Sequence, residues 1–387
     1  MNKKLFLLAL TIFVLISFSC KYSKPITPDV TVDDIVFIEP EEVPVRYSLT
    51  LLAAGDNLFH ETIIKSSVQD ETYDFAPVYA EIKSLITKAD LAFINQETVM
   101  AGEGYGYSGY PAFNTPQSLA KNLADVGFDI INHANNHALD MGAAGLLATL
   151  DMWDTIEGVT VIGARRSGEK HRIITKNNIT LGFLSYTYGL NGNALPAANP
   201  DLVSLINRKT MADEIDVLRP LCDFLIVSIH WGEEYAMKPG SFQTGLAAFI
   251  AEHNVDVIIG HHPHVLQRFE SLPRPDGKDM LCFYSLGNFV SNQRERERIL
   301  GALMFVVFTK EDEELSVSDS GLIPVVCHID LNYTSTKVFP LYSYSEEMLK
   351  KHHLRASDKN LTLDSFNAIL NELGTKVIMD DPFKPPY

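Results

Sequence analysis

Positive charge is scarce in this sequence. Its 387 residues carry 32 Lys and Arg against 49 Asp and Glu, a net charge of -17. Such a chain has no basic phosphate-binding face, which excludes nucleic acid as a partner. It also repels anionic polymers at long range, so an anionic substrate must be held by local positive charge such as bound metal. Cysteine is scarce too, with four in the chain, and the spacing gives neither a disulfide framework nor a zinc knuckle. Cys222, Cys282 and Cys327 have strand-like apolar flanks ("RPLCDFLIV", "MLCFYSL", "PVVCHID") and read as buried structural thiols. A disulfide between two of them stays open for an exported protein. No internal repeat or low-complexity tract is present. The N-terminal apolar run, Leu5 to Phe18, is shorter than the ~20 residues a membrane-spanning helix needs.

That run does fit an export signal. Lys3 and Lys4 precede it and Ser19-Cys20 follows. Cys20 is therefore a candidate lipidation site, the first residue of a mature lipoprotein; Ser17 stands where such signals usually have leucine. A plain signal peptide, or an uncleaved anchor with an incidental cysteine, is the alternative. Residues 21–46, "KYSKPITPDVTVDDIVFIEPEEVPVR", are rich in proline and acid and lack helical periodicity. They read as an extended tether. The expected organisation is a signal peptide at 1–19, a lipidated tether at 20–46, the main folded domain at 47–342 and a small helical extension at 343–387. The expected location is outside the cytoplasm, lipid-anchored to a bacterial membrane.

From Tyr47 the chain alternates strands and helices. "YSLTLLAAGD", "DLAFINQE", "FDIINHANNH", "DFLIVSIHWGEEY" and "VDVIIGHHPH" are apolar runs that end in polar residues. Segments with helical spacing separate them, including "APVYAEIKSLITKA" and "PQSLAKNLADVG", the latter with Gly127 as a C-cap. "HRIITKNNITLGFLSYT" reads as a hairpin turning at Asn177-Asn178. This alternation predicts an α/β fold with helices covering a buried sheet. Open α/β sheets bind ligands at the carboxyl ends of their strands.

Five successive strand tips carry metal-capable side chains: Asp56; Asn95 and Glu97; Asn136, His137 and Asp140; His230, with Glu233 and Glu234 close by; and His261, His262 and His264. A lone Gly-Asp is usually a turn, and a lone strand-end histidine is usually a satisfied core group. Five in succession point instead to one site, because buried polar groups need partners and a metal centre satisfies many at once. Mixed carboxylate, amide and imidazole donors suit Mn, Fe or Zn. The number of donors suits two divalent metals ~3.5–4 Å apart, bridged by a carboxylate and a water.

The motifs "LLAAGDNLFH", "FINQET", "IINHANNHALDMG", "SIHWGEEY", "IIGHHPHVLQ" and "FYSLGNFV" together resemble the capsule-synthesis CapA family, the poly-γ-glutamate biosynthesis proteins. That family lies within the calcineurin-like metallophosphoesterases. The resemblance runs in order from about Ser48 to Phe308. It implies a four-layer α/β/β/α metallophosphoesterase-like sandwich with a dinuclear centre. By position, it implies that Asp56, Glu97 with Asn95, Asn136, His230, His262 and His264 bind metal, with Glu97 the stronger ligand of its pair. It implies that His137 serves the leaving group and that Asp140 orients it. His60, His261, Glu233 and Asn288 are further metal or substrate candidates. Pro111, Phe113 and Asn114 lie in a Gly- and Tyr-rich stretch, "GEGYGYSGYPAFNTP", read equally as a substrate loop or as a surface loop. Arg294, Arg296 and Arg298 form a charge run, read as solvated. The sequence departs from the superfamily where Asn57 and Leu58 follow Asp56, leaving His60 as the nearest histidine, and where Glu97 replaces an aspartate.

Two functions follow as expectations. One is a metal-dependent hydrolase acting on a phosphoester or amide bond of an anionic, phosphorylated or peptidic envelope substrate. The other is a non-catalytic assembly or export component that uses the metal to grip polymer or to join poly-γ-glutamate synthetase membrane subunits. A third reading, a sandwich whose histidines only satisfy each other, predicts no bound metal.

Overall fold

The computed structural model describes residues 44–168 and 170–384. The signal, Cys20 and most of the tether lie outside them. Among the described residues no helix is long and apolar enough to cross a membrane.

The chain builds the first sheet by strand–helix alternation. β1 (Arg46–Asn57) is followed by α1 (Glu61–Ser66), a two-residue-stranded hairpin of β2 (Val68–Gln69) and β3 (Thr72–Tyr73), then α2 (Ala76–Tyr79) and α3 (Lys83–Ile86). β4 (Leu91–Gln96), α4 (Ser118–Val126), β5 (Ile130–Asn132), α5 (Gly142–Trp153) and β6 (Thr160–Ile162) continue it. β1, β4, β5 and β6 run parallel. The chain then crosses to a second sheet. β7 (Arg172–Lys176) pairs antiparallel with β8 (Ile179–Thr187), and α6 (Arg208–Leu218), β9 (Phe224–His230), α7 (Ser241–Ala251), β10 (Val257–His261), β11 (Phe269–Pro273) and β12 (Asp279–Phe283) follow. Its strand order is β11-β12-β10-β9-β8-β7. Finally β13 (Asn288–Val290) returns to pair with β1, and α8 (Arg296–Ile299) leads into β14 (Leu300–Glu311), β15 (Glu314–Ile329) and β16 (Thr336–Pro340). These complete the first sheet as β16-β15-β14-β1-β4-β5-β6. The chain ends with α9 (Glu346–Leu349) and α10 (Leu363–Glu372).

The period-two alternation of strand side chains assembles the layers. Leu49, Leu51 and Ala53 of β1 pack with Phe93, Phe183, Ile226 and Ile259 in a core between the two sheets. The intervening residues Leu52, Ala54, Ala92 and Ile94 face outward, under Ile63, Val78, Leu85 and Leu123 of the first helical layer. Leu225, Val227 and Ile258 face the other way, under Met211, Ile215, Leu246 and Ile250 of α6 and α7. The result is the α/β/β/α sandwich that the resemblance implied. From Tyr344 onward, Leu349, Leu354, Leu361 and Phe366 pack into the inter-sheet core.

Local signals act as read. Gly127 caps α4 with φ 110°, and Asn177 and Asn178 turn the β7–β8 hairpin with φ 51° and 57°. One segment differs. "APVYAEIKSLITKA" forms two single-turn helices instead of one, because i+3→i bonds (Ala80 to Pro77, Ile82 to Tyr79) tighten the chain between them. Its apolar face survives, with Val78, Tyr79, Ile82, Leu85 and Ile86 all buried.

Candidate metal centre

The central strands β1 and β4 of one sheet and β9 and β10 of the other end at the same edge of the sandwich. At that edge β1 must come very close to the loop before β13. The Asp56 N–H donates to Gly287 O at 2.9 Å. A Cβ on Gly55 would lie 2.0 Å from that same oxygen, so only glycine fits there. This approach fixes Asp56 in the pocket, and Asp56 and Glu97 are both fully buried.

The second fixed feature is the turn after β10. His262 and His264, on either side of Pro263, adopt φ of 98° and 59°. These left-handed conformations cost of order 1–3 kcal/mol each in non-glycine residues. They bring the two imidazoles to a ring separation of 5.9 Å and turn both toward the carboxylates. His264 Nδ1 lies 3.0 Å from Asp56 Oδ2, and the His262 N–H donates to the same oxygen at 3.3 Å.

Three sets of ligand atoms converge within 4.8 Å of one another: Asp56, Glu97 and His264; Glu97, His230 and His262; and Glu234, His262 and His264. Glu97 belongs to the first two. Both of its carboxylate oxygens are buried without a hydrogen-bond partner, and so are His230 Nδ1 and His262 Nδ1. A buried carboxylate of this kind is costly unless something positive meets it. The nearest groups are His230 Nε2 at 3.6 Å and His264 Nε2 at 3.7 Å.

The electrostatics agree with a cation-seeking site. Burial pushes the Glu97 carboxyl well above the usual carboxylate range, with His264 opposing the shift and Asp56 and Glu234 adding to it. Burial would also raise Asp56, but its hydrogen bonds and charge interactions with His261 and His264 win and hold it well below that range. Burial disfavours the His264 cation, yet Glu97 and Asp56 overcome it and lift the imidazole to about 9. Burial holds His230 well below 6.5 and His262 at about 3, with neighbouring imidazoles adding to both. These two are neutral near pH 7, the form that ligates metal.

The remaining residues named from sequence take distinct places. Asn136 Oδ1 sits 2.8 Å from His230 Nε2, while its Nδ2 donates to Asn191 Oδ1 at 3.0 Å. The amide is thereby oriented with its oxygen toward the site. Asn95 lies between Asp56 and Asn132. Its Nδ2 donates to Asp56 Oδ1 at 2.8 Å and its Oδ1 accepts from Asn132 Nδ2 at 2.8 Å, so it positions Asp56. His137 Nδ1 is 2.8 Å from Asp140 Oδ2, and that oxygen also accepts the Phe113 N–H at 2.7 Å. The Phe113 ring stands edge-on between His137, 4.8 Å away, and His60, 5.5 Å away. His60 Nδ1 accepts the Asn292 N–H at 3.2 Å and joins no ligand set. Burial holds His60 at about 4. His261 stacks on Phe93 with Nδ1 3.5 Å from Asp56 Oδ1. Asn288 donates to His264 O and Arg298 O, tying two loops together. Asn114 pins its loop through Ala101 N, Gly102 O and Gly106 O, and Pro111 lies at its exposed end.

Both adjacent glutamates are exposed; Glu234 joins a ligand set, and Glu233 lines a neighbouring cavity. Sequence reasoning did not find Asn132, Asn191 or Tyr188. Ser185 donates to Asn132 Oδ1 at 2.5 Å, which steadies the amide behind Asn95. Tyr188 lies 4.6 Å from His262 and stacks parallel to His230 at 6.3 Å. These residues carry no motif, and only the approach of two sheets brings them to the site.

Comparison with known proteins gives the lineage. Residues 50–293 match the family model described as bacterial capsule synthesis protein PGA_cap. The chain belongs to that family. A relative named capsule biosynthesis protein CapA, from Bacillus anthracis, is 31% identical over 188 residues, 46% of this chain and 43% of that protein. The PGA biosynthesis protein CapA of Bacillus subtilis (strain 168) is 33% identical over 184 residues, 46% of this chain and 47% of that protein. The match to this PGA_cap chain therefore spans under half the length of either relative. Among solved structures, the calcineurin-like phosphoesterase YfkN from Bacillus subtilis aligns with a TM-score of 0.43 at 13% identity, over 84% of this chain and all of that one. A phosphatase from Mycoplasma pneumoniae aligns at 0.44 and 15%, over 73% and 95%.

Proposed function

We propose that this PGA_cap chain is a metal-dependent hydrolase of a cell-envelope polymer, cleaving a phosphoester or amide bond. The observation that carries the reading is Glu97, a buried carboxylate without a hydrogen-bond partner that two converging ligand sets share. The donor chemistry fits divalent metal, and the shared carboxylate favours two ions of the Mn, Fe or Zn kind. Asp56, Glu97 and His264 would hold one, in place of the proton that the two carboxylates favour on His264, and Glu97, His230 and His262, with the Asn136 oxygen beside them, the other. When bound, such ions polarise a phosphoryl or carbonyl oxygen and lower the pKa of water.

The chain's own residues supply the rest. Asp140 accepts from His137 Nδ1, which fixes the ring and leaves Nε2 to carry the proton for the departing oxygen or nitrogen. Asn95, itself held by Asn132, keeps Asp56 in register. Phe113 shields the His137 ring, and its backbone N–H shares the Asp140 oxygen, so the loop carrying it is coupled to the proton donor. The N-terminal sequence supports export and a lipid anchor at Cys20 on the outer side of a bacterial membrane.

Elemental analysis coupled to a hydrolysis screen tests the reading. One or two metals per chain and turnover of at least one phosphoester or amide substrate are expected. His137→Ala should cut turnover by about 10²–10⁴-fold with metal content and melting temperature kept; unchanged turnover removes His137 from the mechanism. The relatives' names, which speak of biosynthesis, favour a second reading: a tethered assembly component that grips polymer or joins synthetase subunits. Bound metal with no hydrolysis of any phosphoester or γ-glutamyl substrate would select it.

A further inference from the structure

Five aromatic side chains are exposed among the described residues: Tyr105, Tyr110, Tyr188, Tyr235 and Phe242. All five lie on segments that follow strand carboxyl ends at the metal-centre edge. Tyr105 and Tyr110 lie between β4 and α4, Tyr188 follows β8, Tyr235 follows β9, and Phe242 opens α7. Exposed rings gathered at one end of a molecule mark a recognition surface.

Two of these rings share a cavity. Tyr188 and Phe242 line a space of about 650 Å³ together with Glu233, Lys238, Ser241 and Gln243. The volume lies within the ~300–1,000 Å³ typical of small-molecule sites. Tyr188 connects it to the metal centre, since the ring that borders the cavity also packs against His262 and His230. Phe242 is 52% exposed and Tyr188 44%. Neither ring is spent on the core.

The lining chemistry narrows the ligand. One carboxylate and one ammonium leave the cavity without net charge, so it offers a polyanion little attraction. A pair of exposed rings with hydroxyl, carboxylate and ammonium groups beside them suits a ligand that has apolar C–H faces and an equatorial rim of hydroxyls. We propose that this cavity is a glycosyl subsite, holding a sugar ring of an envelope glycan next to the bond presented to the metal centre. The inference deepens the hydrolase reading and rests on it for the role of the subsite; binding itself does not require catalysis.

Isothermal titration of the whole protein tests it, with three probes: a β-1,4-linked N-acetylglucosamine tetramer, a γ-glutamate tetramer and AMP. Saturable binding of the sugar tetramer is expected, weakened at least tenfold by Phe242→Ala and by Tyr188→Ala and retained by Tyr188→Phe. Phe242→Ala should keep the parental metal content and melting temperature. Absent sugar binding, or sugar binding indifferent to Phe242→Ala, overturns the subsite. Binding of the γ-glutamate tetramer or AMP that depends on Phe242, in place of the sugar, overturns it equally. Metal content and the His137 variant judge the hydrolase reading separately, so either idea can fail alone.

Discussion

Glu97 sits in the interior with no hydrogen bond to either oxygen, and its role sets a sign that a purely structural residue would not show. Glu97→Gln keeps the shape and removes the charge. The metal-stripped variant should be no less stable than the metal-stripped parent, because a neutral amide costs less to bury than a carboxylate. Added metal should stabilise the parent and leave the variant unmoved. Urea titrations with and without chelator check both halves; a variant that gains as much from metal as the parent would sink the shared-ligand role. At this scale much of the site was legible. Asp56, Glu97, His230, His262 and His264 were named because a polar residue ending an apolar run is conspicuous. For Asn95, sequence shows that an amide sits at a strand tip but not what holds its two ends, Asp56 and Asn132. Glu233 and Glu234 are not told apart by sequence, because beyond a strand's end the two-residue period no longer says which of two neighbours borders the site. Tyr188 was missed because a lone tyrosine in a loop has no signature.

The elements divide the same way. Most strands and helices up to β12 follow from apolar runs, caps and the Asn-Asn turn, each a local cause; α1 and the short strands β2, β3 and β11 have no such signal. The closing strands and helices also follow from apolar runs and amphipathic spacing, but what holds them in place is long-range. His352 Nε2 meets Cys327 O of β15 at 3.1 Å, His328 Nδ1 meets Tyr344 Oη at 2.6 Å, and His353 Nδ1 meets Tyr333 Oη at 3.0 Å. Three imidazoles thus fasten the C-terminal segment to β15 and the turn after it. Burial is the main cause that lowers each from 6.5 to about 4. Between about pH 4 and 6.5 the unfolded chain therefore binds more protons than the folded one, so stability rises with pH through that window and falls as pH drops through it. The melting temperature should decline from pH 7 to 4, with β15, β16 and the C-terminal helices losing hydrogen-exchange protection first. His352→Gln should flatten the decline by removing one proton taken up on unfolding. A variant with the parental slope would show that acid acts elsewhere.

At the scale of the whole molecule, the four-layer arrangement was expected from the family resemblance, while the route of the chain was not. It leaves the first sheet after β6, builds the second, and re-enters beside β1 through β13. No local pattern encodes that return, yet it brings Gly287 against Gly55 and so fixes Asp56. Overall charge, by contrast, is fully readable, and it makes its own prediction. A chain with net charge -17 repels a polyanion over about a Debye length, ~30 Å at 0.01 M salt and ~10 Å at 0.1 M. Raising salt across that range should speed association of a long γ-glutamate polymer, because screening removes the repulsion. Association of a neutral glycan should stay unchanged, since the cavity that would hold it pairs Glu233 with Lys238 and carries no net charge. Stopped-flow mixing at several salt concentrations separates the two. If the polyanion instead binds more slowly as salt rises, a local cationic surface is steering it, and the mouth of the site is built for acid and not for sugar.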